Sequence, residues 1–351
     1  MKKKHIFILV VSILSSCYRN PVITIQSKGL QDVQGGFNDL VFLTKREGYL
    51  FGYKSGDPRW GAGGDLVRID TPIIFRTVDG GMTWKGSSAG NEIIKNISVS
   101  DGEIYGEISS LDTTKPSIIY KLNRSTSHWD EYSTVYSPIR NFKIFNNGFG
   151  IVCVNRNNDL LSTNDKGKNW FKLPGKTRVD QIIVRGNWLL YTGSFITDEA
   201  PFSSLFGKYN LETKQFNISY FPKDFRAYFI DEYNQEYFFL GVQQKTVKLY
   251  KLSHDGKLTL IHQIFTGTKI FPKKLNVFGK DISILIGEQE SLYTTNHLYY
   301  STDKGNHWDK QVLRNPTYSD PICFLNDLHK QSTLTWIYCG AGELQVIGKL
   351  Q

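Results

Sequence analysis

The stretch "FRTVDGGMTWKG", residues 75–86, joins two strand-like runs through a turn that contains Asp79, Gly81 and Trp84. The same pattern, Ser/Thr-x-Asp-x-Gly-x-x-Trp, returns around Asp165 and around Asp303. In such a turn the hydroxyl and carboxylate bond nearby backbone N–H groups, the glycine accepts a positive φ, and the tryptophan covers the apolar face of the hairpin. We therefore predict a structural rather than a catalytic role for three sets of residues. They are Asp79, Gly81 and Trp84; Asp165, Gly167 and Trp170; and Asp303, Gly305 and Trp308.

The spacing of these turns indicates a longer repeat. Asp79 and Asp165 are 86 positions apart, and Asp165 and Asp303 are 138 apart. These gaps are multiples of about 43 to 46 residues, and a period of this size with four short strands per repeat is typical of a β-propeller. Strand, polar turn and strand recur at the intermediate positions, in "YKLNRSTSHWDEY", "KYNLETKQFNISY" and "YKLSHDGKLTLIHQ".

A second repeated feature sets the expected number of blades. Short apolar runs that end at or near a glycine, such as "GYLFGY", "EIYGEI" and "WLLYTG", recur with the same period, and "FGIVCV" brings the number of such second strands to seven. We predict an all-β fold, a seven-bladed β-propeller, with six or eight blades as the alternatives. The last repeat is one strand short, and "PVITIQS" at 21–27 is expected to supply the missing outer strand and close the ring.

The N-terminal segment has the pattern of a targeting signal. Three lysines precede an apolar run at 6–14, and the run ends in Leu-Ser-Ser-Cys at Cys17. The run is too short to span a bilayer, which favours a signal peptide. Its ending resembles the bacterial lipoprotein signal, which implies a lipid on Cys17; an ordinary cleaved signal is the alternative.

These features divide the chain into three parts. Residues 1–16 form the signal peptide, 17–37 the lipidated N-terminus with the ring-closing strand, and 38–351 the propeller. The expected location is the bacterial cell envelope, with the lipid anchored in the outer membrane or at the cell surface.

Charge and cysteine content narrow the function classes. The net charge of +9 falls to about +6 without the signal lysines, and there is no long basic run or zinc-finger spacing, so nucleic acid is not an expected partner. The histidine spacing and glycine motifs support no metal and no cofactor. Cys323 and Cys339 lie in successive strand-like runs, where a disulfide and two thiols both remain possible, and Cys153 lies in an apolar core run.

The three turns resemble the Asp-box, or bacterial neuraminidase repeat, of sialidases, the photosystem II assembly factor family and many bacterial propellers. The wording "RTVDGGMTW" at 76–84 is similar to the assembly-factor type. The resemblance implies a propeller. If each blade runs from an inner to an outer strand, the Asp-boxes are turns between the third and fourth strands, so we expect them to lie opposite the face with the long loops. The resemblance says little about activity, because one fold carries many functions.

The long-loop face is where we expect binding. Arg59 and Trp60 lie in the long loop of the first blade, a composition suited to partner contact, although Trp60 could instead pack on its own blade. Basic residues at the starts of inner strands are predicted to ring the channel mouth and attract anions, the alternative being that they only mark polar strand ends. They are Lys95, Arg140, Arg178, Arg226 and Lys273. The resemblance implies the same, since assembly-factor propellers are associated with a basic patch and sialidases with an arginine cluster.

The sequence leaves several functions open. Sialidases carry Arg-Ile-Pro ahead of the first Asp-box, whereas this chain has Arg68-Ile69-Asp70, which is a poor match. We expect no catalytic residues and favour a membrane-anchored, non-enzymatic propeller that engages a protein partner or an anionic ligand. The alternatives are a carbohydrate-active propeller and a toxin-neutralising lipoprotein. The oligomeric state is open.

Overall fold

The structure is a computed structural model that describes most of the chain from residue 35 to residue 348. The described residues are 35–44, 46–54, 56, 58–60, 66–68, 71–88, 94–108, 115–145, 148–154, 159–173, 178–195, 203–254, 256–266, 269–290, 293–313, 323–324, 335–340 and 343–348. The signal peptide, Cys17 and the expected ring-closing strand at 21–27 all lie outside them. No helix long and apolar enough to cross a membrane occurs in this described part.

Six antiparallel sheets of four strands form the blades, each following the chain from inner to outer strand. Blade 1 contains β1 (Gly35–Phe42), β2 (Gly48–Lys54), β5 (Thr71–Thr77) and β6 (Lys85–Ser88), with a separate hairpin of β3 (Pro58–Trp60) and β4 (Leu66–Arg68) inserted. Blade 2 contains β7 (Lys95–Ser100), β8 (Glu103–Ile108), β9 (Ser117–Asn123) and β10 (His128–Val135), and blade 3 contains β11 (Ile139–Ile144), β12 (Gly150–Val154), β13 (Leu160–Thr163) and β14 (Phe171–Lys172).

The second half of the chain continues the pattern. Blade 4 contains β15 (Arg178–Arg185), β16 (Trp188–Phe195), β17 (Ser203–Asn210) and β18 (Phe216–Tyr220). Blade 5 contains β19 (Phe225–Tyr233), β20 (Glu236–Gln243), β21 (Thr246–Leu252) and β22 (Leu258–Thr266). Blade 6 contains β23 (Ile270–Phe278), β24 (Asp281–Glu290), β25 (Tyr293–Ser301) and β26 (Asp309–Leu313).

The prediction of an all-β propeller is confirmed, but the expectation of seven blades is wrong. The described residues form six four-stranded blades. The last repeat contributes only three described strands, β27 (Cys323–Phe324), β28 (Thr335–Gly340) and β29 (Glu343–Gly348), which form a three-stranded sheet. This sheet packs against β1. The seventh apolar run predicts a further blade. Local periodicity cannot show whether a fourth strand completes that sheet.

The second strands form the centre of the core because both of their faces pack against neighbouring blades. All five residues of β12 are buried. A strand covered on both sides becomes a continuous apolar run, which is why these segments stood out in the sequence. Each interface between blades has its own cluster of buried residues, such as Ile151 and Leu160 from blade 3 with Leu189 and Leu205 from blade 4.

Polar side chains connect neighbouring inner strands across these apolar interfaces. The carboxylate of Asp39 in blade 1 accepts a hydrogen bond from the Ile97 N–H in blade 2, at 3.3 Å. Asp231 in blade 5 accepts one from the Val277 N–H in blade 6, at 2.7 Å. An inner strand has a free edge toward the channel, so these side chains satisfy backbone donors that no ladder reaches.

Candidate binding face

Hydrogen bonds place the Asp-box turns on one face of the propeller. In three blades the turn between the third and fourth strands is bonded to the turn between the first and second strands of the same blade. The bonds run from Gly80 N to Arg46 O at 2.9 Å, from Lys166 N to Gly148 O at 2.8 Å, and from Lys304 N to Lys280 O at 2.7 Å. The other connections between strands therefore share the opposite face, which we call the long-loop face.

The three turns repeat one hydrogen-bond network. In blade 3, Thr163 Oγ1 donates to Asp165 Oδ1 at 2.7 Å and accepts from the Gly167 N–H at 2.9 Å. Thr77 and Ser301 make the equivalent pairs of bonds in blades 1 and 6. The glycines have φ values of +94° at Gly81, +77° at Gly167 and +89° at Gly305, a region that a side chain would strain.

The carboxylates of these turns are held ionised by local donors. The backbone N–H and side-chain amide of Asn169 lower the pKa of Asp165 to about 2. Burial works in the opposite direction at Asp79, but hydrogen bonds from Thr83 and Thr77 still lower its pKa to about 2. The backbone N–H and imidazole of His307 lower the pKa of Asp303 below its ordinary value. A carboxylate fixed in this way is a poor proton acceptor at neutral pH.

The tryptophans close the turns in two ways. Trp84 and Trp308 donate their indole N–H to the carbonyl of the glycine in their own turn, at 3.0 and 2.9 Å. Trp170 instead donates to the hydroxyl of Ser133 on β10 at 3.1 Å, and that hydroxyl donates to Gly167 O. The blade 3 turn is thereby connected to blade 2.

The structure gives the backbone positions of all five predicted channel cations. Lys95 and Arg178 are the first residues of β7 and β15, Arg140 and Arg226 are the second residues of β11 and β19, and Lys273 is the fourth residue of β23. All five lie near the ends of inner strands on the long-loop face. The side chains of Lys95 and Arg178 are outside the described part, as are those of Arg59 and Trp60 on β3, whose hairpin pairs Arg59 with Val67.

Because of a β-bulge, these cations occupy two different kinds of position in the pairing of the inner with the second strand. The pairing of inner with second strand skips one residue in five blades, and Arg140 and Lys273 are the skipped residues in blades 3 and 6. In blade 5 the skipped residue is Tyr228, two positions after Arg226. A bulge re-aims the side chain at that position. The five cations therefore do not occupy one equivalent position around the ring.

Two of the cations lie on neighbouring inner strands and on aromatic rings. The Arg226 guanidinium carbon is 4.9 Å from the ring centroid of Tyr228, and Lys273 Nζ is 5.1 Å from that of Phe271. Asp231 lies five residues after Arg226, and it is hydrogen-bonded to Val277, which lies four residues after Lys273. The two cations therefore lie at a similar height on their neighbouring strands. We call Arg226, Tyr228, Phe271 and Lys273 the cation–aromatic patch.

The patch presents groups that a partner can use. Phe271 is 36% exposed. Arg226 is part-buried beside the ring of Tyr228. A guanidinium held over a ring keeps its remaining donors oriented, which suits recognition of a carboxylate or phosphate.

The structure also identifies residues on this face that the sequence analysis missed. Tyr136, between β10 and β11, is 92% exposed. Its position two residues before Pro138 is a sequence signal for a connection there. The connection between β24 and β25 in blade 6 is a hairpin whose strands pair as far as Glu290 with Tyr293.

Two acidic residues in the described part of this face make internal contacts. Glu107 is fully buried and accepts from Asn96 Nδ2 at 2.6 Å and from Ser117 Oγ at 3.2 Å. Glu288 lies 2.9 Å from Nε2 of the buried His297. In the described residues, no group of three or more His, Cys, Asp or Glu side chains is placed to hold a metal ion.

The remaining cysteines are only partly described. Cys153 is buried, and its thiol lies 4.0 Å from the carbonyl oxygen of Val179. Cys323 and Cys339 are Cα partners in the antiparallel register of β27 and β28, and their side chains lie outside the described part.

The architecture and its two unlike faces define a β-propeller. The structure is similar to YCF48 bound to a D1 peptide, with a TM-score of 0.58 and 14% identity over 95% of this chain and 98% of that chain. It is similar to the GH74 xyloglucanase from Xanthomonas campestris, with a TM-score of 0.61 and 10% identity over 92% of this chain and 52% of that one.

A third similar structure is the β-propeller domain of the Trilobed protease from Pyrococcus furiosus, with a TM-score of 0.56 and 12% identity over 89% of this chain and 94% of that domain. At these identities the likeness concerns the fold. No protein-family model and no curated protein matches the sequence.

Proposed function

We propose that this chain is a non-enzymatic, membrane-anchored binding propeller that engages an anionic segment of a partner protein through the cation–aromatic patch. The observation that carries the proposal is the pairing of Arg226 with Tyr228 and of Lys273 with Phe271 on adjacent inner strands. An acidic side chain placed between the two cations would meet oriented donors, and neighbouring aromatic groups would pack on the rings. The peptide bound to YCF48 supports a peptide ligand for this fold.

A charge-reversal pair tests the proposal. Arg226→Glu with Lys273→Glu should weaken binding of a fluorescein-labelled peptide of glutamate and aromatic residues by at least about tenfold, since truncating a desolvated charge partner costs about 2 to 5 kcal/mol. Fluorescence anisotropy at several salt concentrations should also show a smaller salt dependence for the variant, because two attracting charges have been removed.

The matched control reverses two exposed lysines on the opposite face. Lys85→Glu with Lys168→Glu makes the same change in net charge, and both side chains are exposed. Equal losses from the two pairs would show that only net charge matters and would contradict the proposed site. Binding of neutral oligosaccharides that survives the Arg226 and Lys273 reversal would favour the carbohydrate-active alternative.

The proposed membrane anchor rests on Cys17. Cys17→Ser should move the chain from the membrane fraction to the aqueous fraction, because the thiol that would carry the lipid is absent. Fractionation followed by immunoblotting measures the distribution, with Cys153→Ser as a control that alters a buried cysteine in the propeller. Retention of the Cys17→Ser variant in the membrane would rule out this anchor.

A further inference from the structure

Among the described strands, the outer strand of each blade pairs on one edge only, and most of the other edges carry features that discourage pairing with another chain. Short length, charged side chains and bulges are the usual protections. Strand β14 has only two residues, β10 has a bulge between Glu131 and Ser133, and β22 has two irregularities in its pairing with β21. Charged residues also occur on four outer strands: Lys85 on β6, Asp130 and Glu131 on β10, Lys172 on β14, and Asp309 and Lys310 on β26.

Strand β18 has none of these protections. Its sequence, Phe-Asn-Ile-Ser-Tyr, contains no charge and no proline, and it pairs with β17 without a bulge from Phe216 to Tyr220. Its last four residues are exposed, including Ile218 at 39% and Tyr220 at 66%. No strand in the described part of the chain pairs with its outer edge.

The apolar side of β18 continues from the core to the exposed end of the strand. Phe216 packs against the core shared by blades 3 and 4 and stacks on Tyr191, with ring centroids 6.1 Å apart. Ile218 and Tyr220 point to the same face because side chains alternate along a strand.

We propose that β18 pairs antiparallel with β18 of a second copy of this chain, about a twofold axis at Ile218. The sequence is self-complementary in that register: Ile218 faces itself, Asn217 faces Ser219, and Phe216 faces Tyr220. No like charges oppose each other, and the free backbone groups of both edges become paired. Five residues bury little area, so the dimer is weak and depends on concentration. This rim is separate from the cation–aromatic patch, and the inference does not depend on the proposed function.

Charge variants test the register. Analytical ultracentrifugation of the full chain should show a dimer whose fraction rises with concentration. Asn217→Lys with Ser219→Lys places lysines opposite each other twice and should weaken association at least about tenfold. Asn217→Glu with Ser219→Lys places opposite charges there and should restore it, which a general loss of folding could not do. Thr259→Lys on the irregular edge of β22 is the control, because Thr259 is also exposed.

Disulfide trapping gives an independent measurement. Ile218→Cys should form a disulfide-linked dimer under mild oxidation, because the axis places the two positions 218 opposite each other, within disulfide reach. Leu260→Cys, at a position 43% exposed on β22, should not, and the unmodified chain measures the background of the native cysteines. A chain that remains monomeric at every concentration, or equal cross-linking at 218 and 260, would overturn the proposal.

Discussion

One buried hydroxyl organises each Asp-box turn. Thr163 is 1% exposed, and its hydroxyl is both the donor to Asp165 and the acceptor for the Gly167 N–H. The residue before the Asp-box glycine also has a positive φ. It is Gly80 in blade 1, Lys166 in blade 3 and Lys304 in blade 6. The turn therefore depends on a side chain to hold two consecutive residues in a conformation that the backbone alone does not favour.

Replacing that hydroxyl isolates its contribution. Thr163→Val keeps the shape of the side chain but leaves the buried Gly167 N–H without its acceptor, which should lower the free energy of unfolding by about 1 to 3 kcal/mol. Urea denaturation measures the change. Thr302→Val is the control, because Thr302 is exposed in the corresponding turn of blade 6 and should change stability by less than about 0.5 kcal/mol. Equal changes in the free energy of unfolding at the two positions would show that the buried hydroxyl of Thr163 stabilises the fold no more than an exposed one.

Single buried serine side chains connect strands of neighbouring blades. The hydroxyl of Ser204 on β17 accepts from the Ala227 N–H on β19 at 3.2 Å, and Ser117 on β9 accepts in the same way from the Ile139 N–H on β11 at 3.1 Å. Both serines are buried. Each connects the third strand of one blade to the inner strand of the next, so the blades are joined by polar bonds as well as by apolar packing.

Removing one of these hydroxyls should loosen one interface. Ser204→Ala leaves the buried Ala227 N–H unpaired and should destabilise the protein by about 1 to 3 kcal/mol. Native-state hydrogen exchange should show faster exchange of the Ala227 amide than in the unmodified chain. Ser88→Ala, an exposed serine on the outer strand β6, should change neither quantity. An unchanged Ala227 exchange rate would mean that a water or another group replaces the hydroxyl.

Some of these elements can be predicted from the sequence and others cannot. The turns and the second strands are readable because their signals are local: a hydroxyl, Asp, Gly and Trp at fixed spacing, and apolar runs buried on both faces. The bulge at Arg140 or Tyr228 is not readable, because it depends on which residue of the second strand pairs with the inner one. The predicted ring of five cations stays a prediction, and the bulge adds that Arg140 and Lys273 occupy the skipped position of their strands while Arg226 does not. Side chains such as Tyr228 and Phe271 therefore entered the candidate site only through the structure.

In the whole molecule, the channel contains a carboxylate whose environment links stability to pH. Asp39 lies where the inner strands of blades 1 and 2 meet and accepts from the N–H groups of Leu40 and Ile97. Burial raises the pKa of Asp39 to about 6, against the lowering effect of Lys274, of those two N–H groups and of Lys143. Lysines from blades 3 and 6 thus act on a carboxylate from blade 1, across the ring.

The sign of the effect on stability follows from the raised pKa. The folded state binds a proton on Asp39 at a pH where the unfolded chain has already lost it, so its stabilising contribution is complete below pH about 4 and is lost as pH rises through about 6. The rise in the pKa of Asp39 from 3.8 to about 6 corresponds to a loss of stability of up to about 3 kcal/mol at neutral pH. Asp39→Asn cannot ionise and should therefore raise the free energy of unfolding at pH 7 by up to about 3 kcal/mol, with little change at pH 4.

Urea denaturation across this pH range measures the difference between Asp39→Asn and the unmodified chain, which should grow between pH about 4 and pH about 6. Asp101→Asn is the control, because it makes the same replacement at an exposed aspartate in a turn of blade 2. If Asp39→Asn instead destabilises the protein at pH 7, the charged hydrogen bonds to Leu40 and Ile97 and the attraction of the two lysines outweigh the cost of burial. The carboxylate would then hold the ring together in its ionised form.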